Sequence, residues 1–365
     1  MLETGLEILN KIEERGFKAY IIGGFVRDYY LHRPSIDVDI CTNATPKDLH
    51  TIFDVMTTPS EQYGSVTLYY KGVRFEITTF RKEKKYENNR RPSQVEYVSD
   101  LREDLKRRDF TINTLCMDKE RNIIDFMGSI EDINHKIIRT IGNPSKKLKE
   151  DALRIMRAVR FATILDFQIE TETKKYIKRY AKFLERISYE RKRDELDKIF
   201  LSTNREYGIS LLNQLGLSRF LQLPKLKSVV IVEDLLGIWA QLDALDLYPF
   251  YRNEKKLIQC IQKILTKDVM NPKIMYYNEL YVLSVVGSIQ GYSKKEVLEA
   301  YTNLPIHKRS DLQIETKEIC MILKKEPGPY LKTIYQQLEA RVLDGTLKNE
   351  KEALKMFVQT SSIDA

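Results

Sequence analysis

The stretch from Ala19 to Ile40, AYIIGGFVRDYYLHRPSIDVDI, admits few folds. Tyr20, Ile21 and Ile22 form an apolar run that reads as a buried strand, and the run stops at Gly23 and Gly24. Two glycines remove the Cβ atoms that would hold a bulky anion away from backbone N–H groups. Val26 to His32 then reads as a helix with its positive end at that turn. In Ile36-Asp37-Val38-Asp39-Ile40, strand alternation sets Ile36, Val38 and Ile40 on one face and both carboxylates on the other. Like charges sharing a face repel, so a cation is the natural third party.

A Gly-Gly pair alone is usually a turn, and Asp-x-Asp alone is usually a solvated strand end. Their order and spacing, with Arg27 between them, carry the information. Strand, Gly-Gly, Arg27, then Asp37 and Asp39 on a second apolar strand resemble the head signature of the nucleotidyltransferase superfamily that includes DNA polymerase beta. More narrowly, they resemble its tRNA nucleotidyltransferase and poly(A) polymerase branch. That resemblance implies an α+β head built on a mixed β-sheet with helices, in which Asp37 and Asp39 hold Mg²⁺ and Gly24 and Arg27 bind the triphosphate. The Asp-x-Asp-x-Thr motif of the haloacid dehalogenase phosphatases fits less well. Thr42 falls one position late, and the Gly-Gly has no counterpart there.

Before this stretch, Leu2, Leu6, Leu9 and Ile12 form a helical stripe that Gly16 ends. After it, Lys47 to Phe53 reads as a short helix. Ser65 to Tyr70 and Val73 to Phe80 read as strands joined by a Lys71-Gly72 hairpin turn. Glu76 points away from Phe75 and Ile77, so it is a candidate third carboxylate beside Asp37 and Asp39. Arg81 to Ser93, RKEKKYENNRRPS, is charged, has Tyr86 as its one apolar anchor, and is expected to be a mobile loop. In the resembling family, a flexible loop at this position helps the enzyme change from adding C to adding A. Ile123 to Gly128 and Ile137 to Gly142 are expected as two more strands that complete the sheet.

Two later motifs narrow the resemblance. Leu105-Lys106-Arg107-Arg108-Asp109-Phe110-Thr111-Ile112-Asn113 is similar to the Arg-Arg-Asp-Phe-Thr-x-Asn motif of the class II, bacterial and eukaryotic, tRNA nucleotidyltransferases. The resemblance implies that Arg108 helps to hold the incoming nucleotide, while Asp109 and Asn113 suit the capping of a helix start. Glu150 to Phe161, EDALRIMRAVRF, is expected to be helical, with Asp151, Arg154, Arg157 and Arg160 in a slowly drifting stripe. As a bare pattern this is an ion-paired helix face. As a whole it resembles the nucleotide-selecting motif of the same enzymes, which implies that Asp151 and Arg154 contact the base; Arg157 and Arg160, further along the stripe, are left to bind phosphates or the RNA end. Chemistry supports that role independently. Cytosine and adenine both present an amino donor beside a ring-nitrogen acceptor, and guanine and uracil present the reverse. A carboxylate beside a guanidinium therefore matches C or A, and a wrong base leaves buried polar groups unmatched at roughly 1–3 kcal/mol each.

The remaining half reads as helices, with segments expected at Thr171 to Ile187, Glu190 to Phe200, Tyr207 to Leu215, Val230 to Leu245, Glu254 to Leu265, Glu279 to Val286 and Leu331 to Leu343. The resemblance there is looser, and Thr316 stands where the family usually has Gly. Composition agrees with this reading without requiring it. The net charge of +8 over 365 residues favours an acidic partner. Four scattered cysteines and four isolated histidines suggest neither a zinc site nor a disulfide framework. The N-terminus is an amphipathic charged helix with no signal-peptide character, and no apolar run reaches a membrane span, so a cytoplasmic location and no membrane partner are expected.

Taken whole, the resemblance implies an α+β nucleotidyltransferase head at 1–142, then an all-α neck at 143–200, body at 201–305 and tail at 306–365. It implies template-independent addition of CCA to the tRNA 3′ end from CTP and ATP, with release of pyrophosphate. The partners are the tRNA acceptor arm and 3′ end together with the two nucleotides, and the cofactor is Mg²⁺. A-only addition, CC-only addition, poly(A) polymerisation and a non-catalytic RNA-binding role stay open, as does the oligomeric state, a homodimer included.

Overall fold

The computed structural model describes residues 1–35, 37–56, 58–87 and 91–360, without the side chains of 83–87 and 91–94. The chain divides into two compact units, 1–227 with 247–249, and 228–246 with 250–365.

The first unit begins with helix α1 (Leu2–Glu13), strand β1 (Ala19–Ile22), helix α2 (Gly24–Tyr30), strand β2 (Asp39–Thr42), helix α3 (Pro46–Ile52) and strands β3 (Val55–Met56), β4 (Ser65–Tyr70) and β5 (Val73–Thr79). A ribbon of β6 (Arg81–Glu87) and β7 (Arg91–Tyr97) follows, then α4 (Leu101–Arg107), β8 (Cys116–Met117), β9 (Ile123–Ile124), α5 (Ser129–Asn134) and β10 (Ile137–Ile138). The unit continues with α6 (Pro144–Glu150), α7 (Leu153–Leu165), β11 (Gln168–Ile169), α8 (Thr171–Tyr180), α9 (Tyr189–Phe200) and α10 (Arg205–Gln214). The sheet runs β3-β4-β5-β2-β1-β8-β9, with β2 and β5 parallel and the other pairs antiparallel. This is the mixed sheet expected of a nucleotidyltransferase head. The β4–β5 turn has positive φ at both Lys71 (50°) and Gly72 (77°), as a tight hairpin turn of matching twist requires.

Strand alternation builds the two faces of the sheet. Gly5 of α1 packs against Ile21, Val38 and Phe75 on one side. On the other, Leu101 and Leu105 of α4 join Ile22, Cys41, Phe80 and Cys116 in one apolar cluster. Each such Leu or Ile taken out of water contributes about 1.5–3 kcal/mol. In register, Ile22 stands opposite Asp39 and Asp39 opposite Glu76, so both acids lie on the sheet face that α4 covers.

Several expectations need correction. Asp37 precedes β2 and does not lie on it, and Ile36 falls outside the described residues. The stretch expected as a loop after Phe80 is a two-stranded antiparallel ribbon, with Arg81 opposite Tyr97 and Glu87 opposite Arg91; residues 88–90 lie outside the description. Ladder bonds use backbone groups, of which Pro92 lacks only the N–H, so a charged run without alternation can still pair. Ile137–Ile138 does not complete the sheet but pairs in parallel with β11. The expected helix from Glu150 to Phe161 is broken at Asp151, whose backbone is extended (φ −140°, ψ 109°), and α7 begins at Leu153.

The second unit is helical: α11 (Leu235–Ala240), α12 (Arg252–Ile264), α13 (Pro272–Tyr276), α14 (Leu280–Gln290), α15 (Lys294–Thr302), α16 (Thr316–Leu323), α17 (Tyr330–Leu343) and α18 (Lys351–Thr360). The helix expected over Val230 to Leu245 shrinks to α11, whose start is capped by the Asp234 carboxylate accepting from the Gly237 N–H at 2.8 Å. No helix among the described residues is long and apolar enough to cross a membrane.

Candidate active site

At the end of β1 the chain turns at Gly23 with φ 83° and ψ −134°, a conformation open to glycine. A Cβ there would lie 3.7 Å from Arg108 Nη1 and 4.0 Å from Asp39 Oδ2, so the turn, the second acid of the pair and Arg108 meet at one point. The Gly23 N–H itself donates to the Leu115 carbonyl at 3.1 Å, which leaves Gly24 and the first turn of α2 to face a ligand.

A cavity of about 680 Å³ opens here. It brings together Gly24, Arg27, Asp37, Asp39, Arg108, Asp151, Arg154, Arg157 and Arg160, but not the candidate third carboxylate, Glu76. A second recess of about 540 Å³ shares Asp39, Arg107 and Arg108 with the first, and Glu76, Ser65, Tyr63 and Arg81 line it. Ser65 donates to Glu76 Oε1 at 2.6 Å and so fixes that carboxylate beside Asp39. Desolvation in the recess, then the neighbouring Glu76 charge, push the Asp39 carboxyl above its ordinary range, with Arg108 opposing.

Cations crowded into one recess repel unless each is held. Every arginine of the wall has a carboxylate behind it. Arg27 forks onto Asp28, with Nε and Nη2 each 2.9 Å from a carboxylate oxygen, and its Nη1 donates to Asn113 Oδ1 at 2.7 Å. Arg157 donates from Nε to Asp109 Oδ2 at 2.7 Å, and Asn113 Nδ2 donates to the same carboxylate at 3.2 Å. Burial alone would raise the Asp109 carboxyl. The adjacent Arg157 guanidinium and the hydrogen bonds from Arg157, Asn113 and the Phe110 N–H instead hold it far below the usual range. Arg160 meets Glu195 of α9 at 2.6 Å, and Arg107 donates to Asp104 at 2.8 Å. Phe161 gathers three of these cations: Arg160, Arg157 and Arg27 lie 4.2, 5.3 and 5.5 Å from its ring centroid.

Asp151 and Arg154 both line the cavity but do not lie on one helical stripe. Asp151 sits in the break between α6 and α7, accepts from the Leu153 N–H at 3.0 Å and faces Arg191 at 3.7 Å. Burial pushes its carboxyl up, and Arg191 opposes that. Arg154 is buried and donates to the Lys147 and Arg107 carbonyls at 2.9 and 3.0 Å and to Glu150 at 2.9 Å. To contact a base it must share or exchange those partners.

Sequence reading missed the acids behind the arginines: Asp28, Asp104 and Glu195. Asp109 and Asn113 were visible as a pair four apart, yet they do not cap a helix. Asn113, in the 3-10 turn Thr111–Asn113, and Asp109, just before it, bridge Arg27 and Arg157. As to a metal, no group of three or more His, Cys, Asp or Glu among the described residues could hold one unaided. Asp37 and Asp39 offer hard oxygen donors at a cavity mouth, which suits a cation that also takes ligands from water and substrate phosphates.

This mixed sheet, with its acids facing a wall of arginines, defines a nucleotidyltransferase: residues 19–139 match the family described as "Poly A polymerase head domain". Residues 166–229 match "Probable RNA and SrmB- binding site of polymerase A", and residues 239–358 match the tRNA nucleotidyltransferase domain 2 family. The CCA-adding enzyme of Limosilactobacillus reuteri is 35% identical over 385 residues, covering 97% of this chain and 95% of its own. That of Staphylococcus epidermidis is 33% identical over 399 residues, covering 98% of each. Among solved structures, the Bacillus stearothermophilus CCA-adding enzyme in complex with CTP superposes with a TM-score of 0.78 at 29% identity, covering 98% of this chain and 96% of that one. The chain belongs to the family of CCA-adding enzymes. Such nucleotidyltransferases work with a divalent metal ion.

Proposed function

We propose that this chain is a template-independent tRNA nucleotidyltransferase that builds the 3′-terminal CCA from CTP and ATP in the cytoplasm. One observation carries the reading: a single cavity has the Gly23–Gly24 turn and the Asp37–Asp39 pair at one end and Asp151 and Arg154 within the same wall. The nucleoside triphosphate lies with its phosphates at Gly24, Arg27 and Arg108 and its base toward Asp151 and Arg154. Arg157 and Arg160 add positive charge along the way. The recess beyond Asp39, on the Glu76 side, receives the RNA 3′ end.

In the reaction the RNA 3′-hydroxyl gives its proton to solvent as its oxygen forms a bond to the α-phosphorus, the bond from that phosphorus to the bridging oxygen breaks, and pyrophosphate leaves. Asp37 and Asp39 would hold Mg²⁺, which when bound supplies the charge that activates the hydroxyl and stabilises the leaving pyrophosphate. The arginines orient the triphosphate, and the acids behind them keep the guanidinium groups in place before substrate arrives. Asp151 accepts from the amino group that cytosine and adenine share, and Arg154 donates to the adjacent ring nitrogen by sharing its present partners. The functional division is head 1–142, neck 143–200, body 201–305 and tail 306–365, with the helical remainder gripping the tRNA acceptor arm.

The test uses purified protein, transcripts ending before the tail, after C and after CC, and each labelled NTP in turn. The reading predicts C, then C, then A, with G and U refused. A alone, C alone, a run of A on any RNA, or no transfer would each replace it with a different function.

A further inference from the structure

We propose that Asp104 is a positioning residue that ties the root of the β6–β7 ribbon to Arg108, so that the placement of the ribbon is felt at the triphosphate end of the cavity. The proposal rests on the reading of Arg108 as a ligand of the incoming nucleotide. Asp104, on α4, is fully buried, with 0% of its surface exposed. Its Oδ1 accepts from the backbone N–H of Arg81, the first residue of the ribbon, at 3.2 Å and from Arg107 Nε at 2.8 Å. Its Oδ2 accepts from both Nε and Nη2 of Arg108 at 3.4 Å. The third guanidinium nitrogen of Arg108, Nη1, points the other way, toward the Gly23 turn near Asp39. The guanidinium is thus split between a fixed back and a working front.

One carboxylate therefore meets a strand end, the end of a helix and a residue of the substrate wall. No water reaches it to replace a lost partner, so a shift of the ribbon root must either carry Asp104 along or break a buried charged hydrogen bond. A second tie runs alongside, from Lys82 Nζ to Glu103 at 3.1 Å. The bonds to Arg108 are longer than the bond to Arg107, which marks the Arg108 contact as the adjustable one. Asp104 thus touches the side of an arginine whose front lies toward Asp39 and whose charge acts on it.

The test measures steady-state kinetics and amide hydrogen exchange on full-length D104N, D104E, R108A and the double variant D104N/R108A. D104N is expected to raise KM for CTP and for ATP by the same factor, about tenfold, to leave KM for tRNA within about twofold, and to speed exchange at the Arg81 amide. D104E retains the charge one methylene further out and is expected to fall between wild type and D104N. The double variant is expected to match R108A, because Asp104 acts through Arg108. R108A with a raised nucleotide KM beside wild-type values in D104N and D104E would overturn the proposal alone. So would D104N and R108A effects that multiply. R108A without effect on either nucleotide would remove the reading of Arg108 and this proposal with it.

Discussion

At the scale of single residues, the site is a set of cations each backed by an acid, facing two acids with no such backing. Arg27, Arg107, Arg108, Arg157 and Arg160 rest on Asp28, Asp104, Asp109 and Glu195, whereas Asp37 and Asp39 stand exposed at the cavity. The two groups therefore respond differently to substitution. Asp39→Ala or Asp37→Ala should cut incorporation by about a thousandfold or more while thermal unfolding stays close to wild type, since neither side chain supports the core. Undiminished incorporation would remove the metal assignment. Asp109→Asn should instead cost about 1–3 kcal/mol of stability, because Arg157 loses its partly buried counter-charge. The pH dependence follows from the sign of the shift. The folded-state carboxyl of Asp109 lies below its unfolded value of about 3.9, so its contribution is complete at neutral pH and fades as pH falls through about 4 toward the folded value. Melting curves from pH 7 to pH 2 should show a shallower acid limb in the Asn variant than in wild type. Parallel limbs would contradict the pairing.

At the scale of elements, the arginine helix α7 depends on close packing. Gly208 of α10 has no room for a methyl group: a Cβ there would come within 2.5 Å of Thr163 Oγ1 on α7 and 2.6 Å of Ile199 Cγ2 on α9. Gly208→Ala should lower stability by about 1–3 kcal/mol by forcing these helices apart, a loss that thermal denaturation reads directly. An unchanged melting point would mean that α10 does not hold α7 in place. The elements that sequence reading found are those with an apolar period. The stripe of α1, the runs of β1 and β5 and the Lys71-Gly72 turn all carry their conformation in local residue choice. What it missed lacks such a signal. The β6–β7 ribbon pairs its backbone within a charged run that shows no strand alternation, and the α6–α7 break falls inside a run of good helix formers where Asp151 turns extended. Of the acids that escaped notice, Glu195 meets Arg160 from a distant part of the chain, where no spacing announces the contact, whereas Asp28 directly follows Arg27 and Asp104 stands three and four residues before Arg107 and Arg108, spacings that do carry a signal.

At the scale of the whole molecule, the resemblance reaches from the head through both compact units, and relatives of similar length match nearly end to end. Removal of divalent cations should therefore stop transfer without unfolding either unit, with less than about 2 °C of change in either transition, because Asp37 and Asp39, the residues proposed to hold the ion, are exposed and lie outside the core. Loss of structure on chelation would point to a structural ion that this account does not include. The central claim is that one cavity holds phosphates at the Gly24 end and reads the base at Asp151. It is tested most directly by measuring incorporation of all four NTPs into tRNA ending in CC with wild type, D39A and D151N. The account predicts that wild type takes ATP alone, that D39A takes nothing, and that D151N loses at least about tenfold of its preference for ATP over GTP and UTP while still transferring. A D151N protein that transfers at the wild-type rate with the wild-type preference would contradict it.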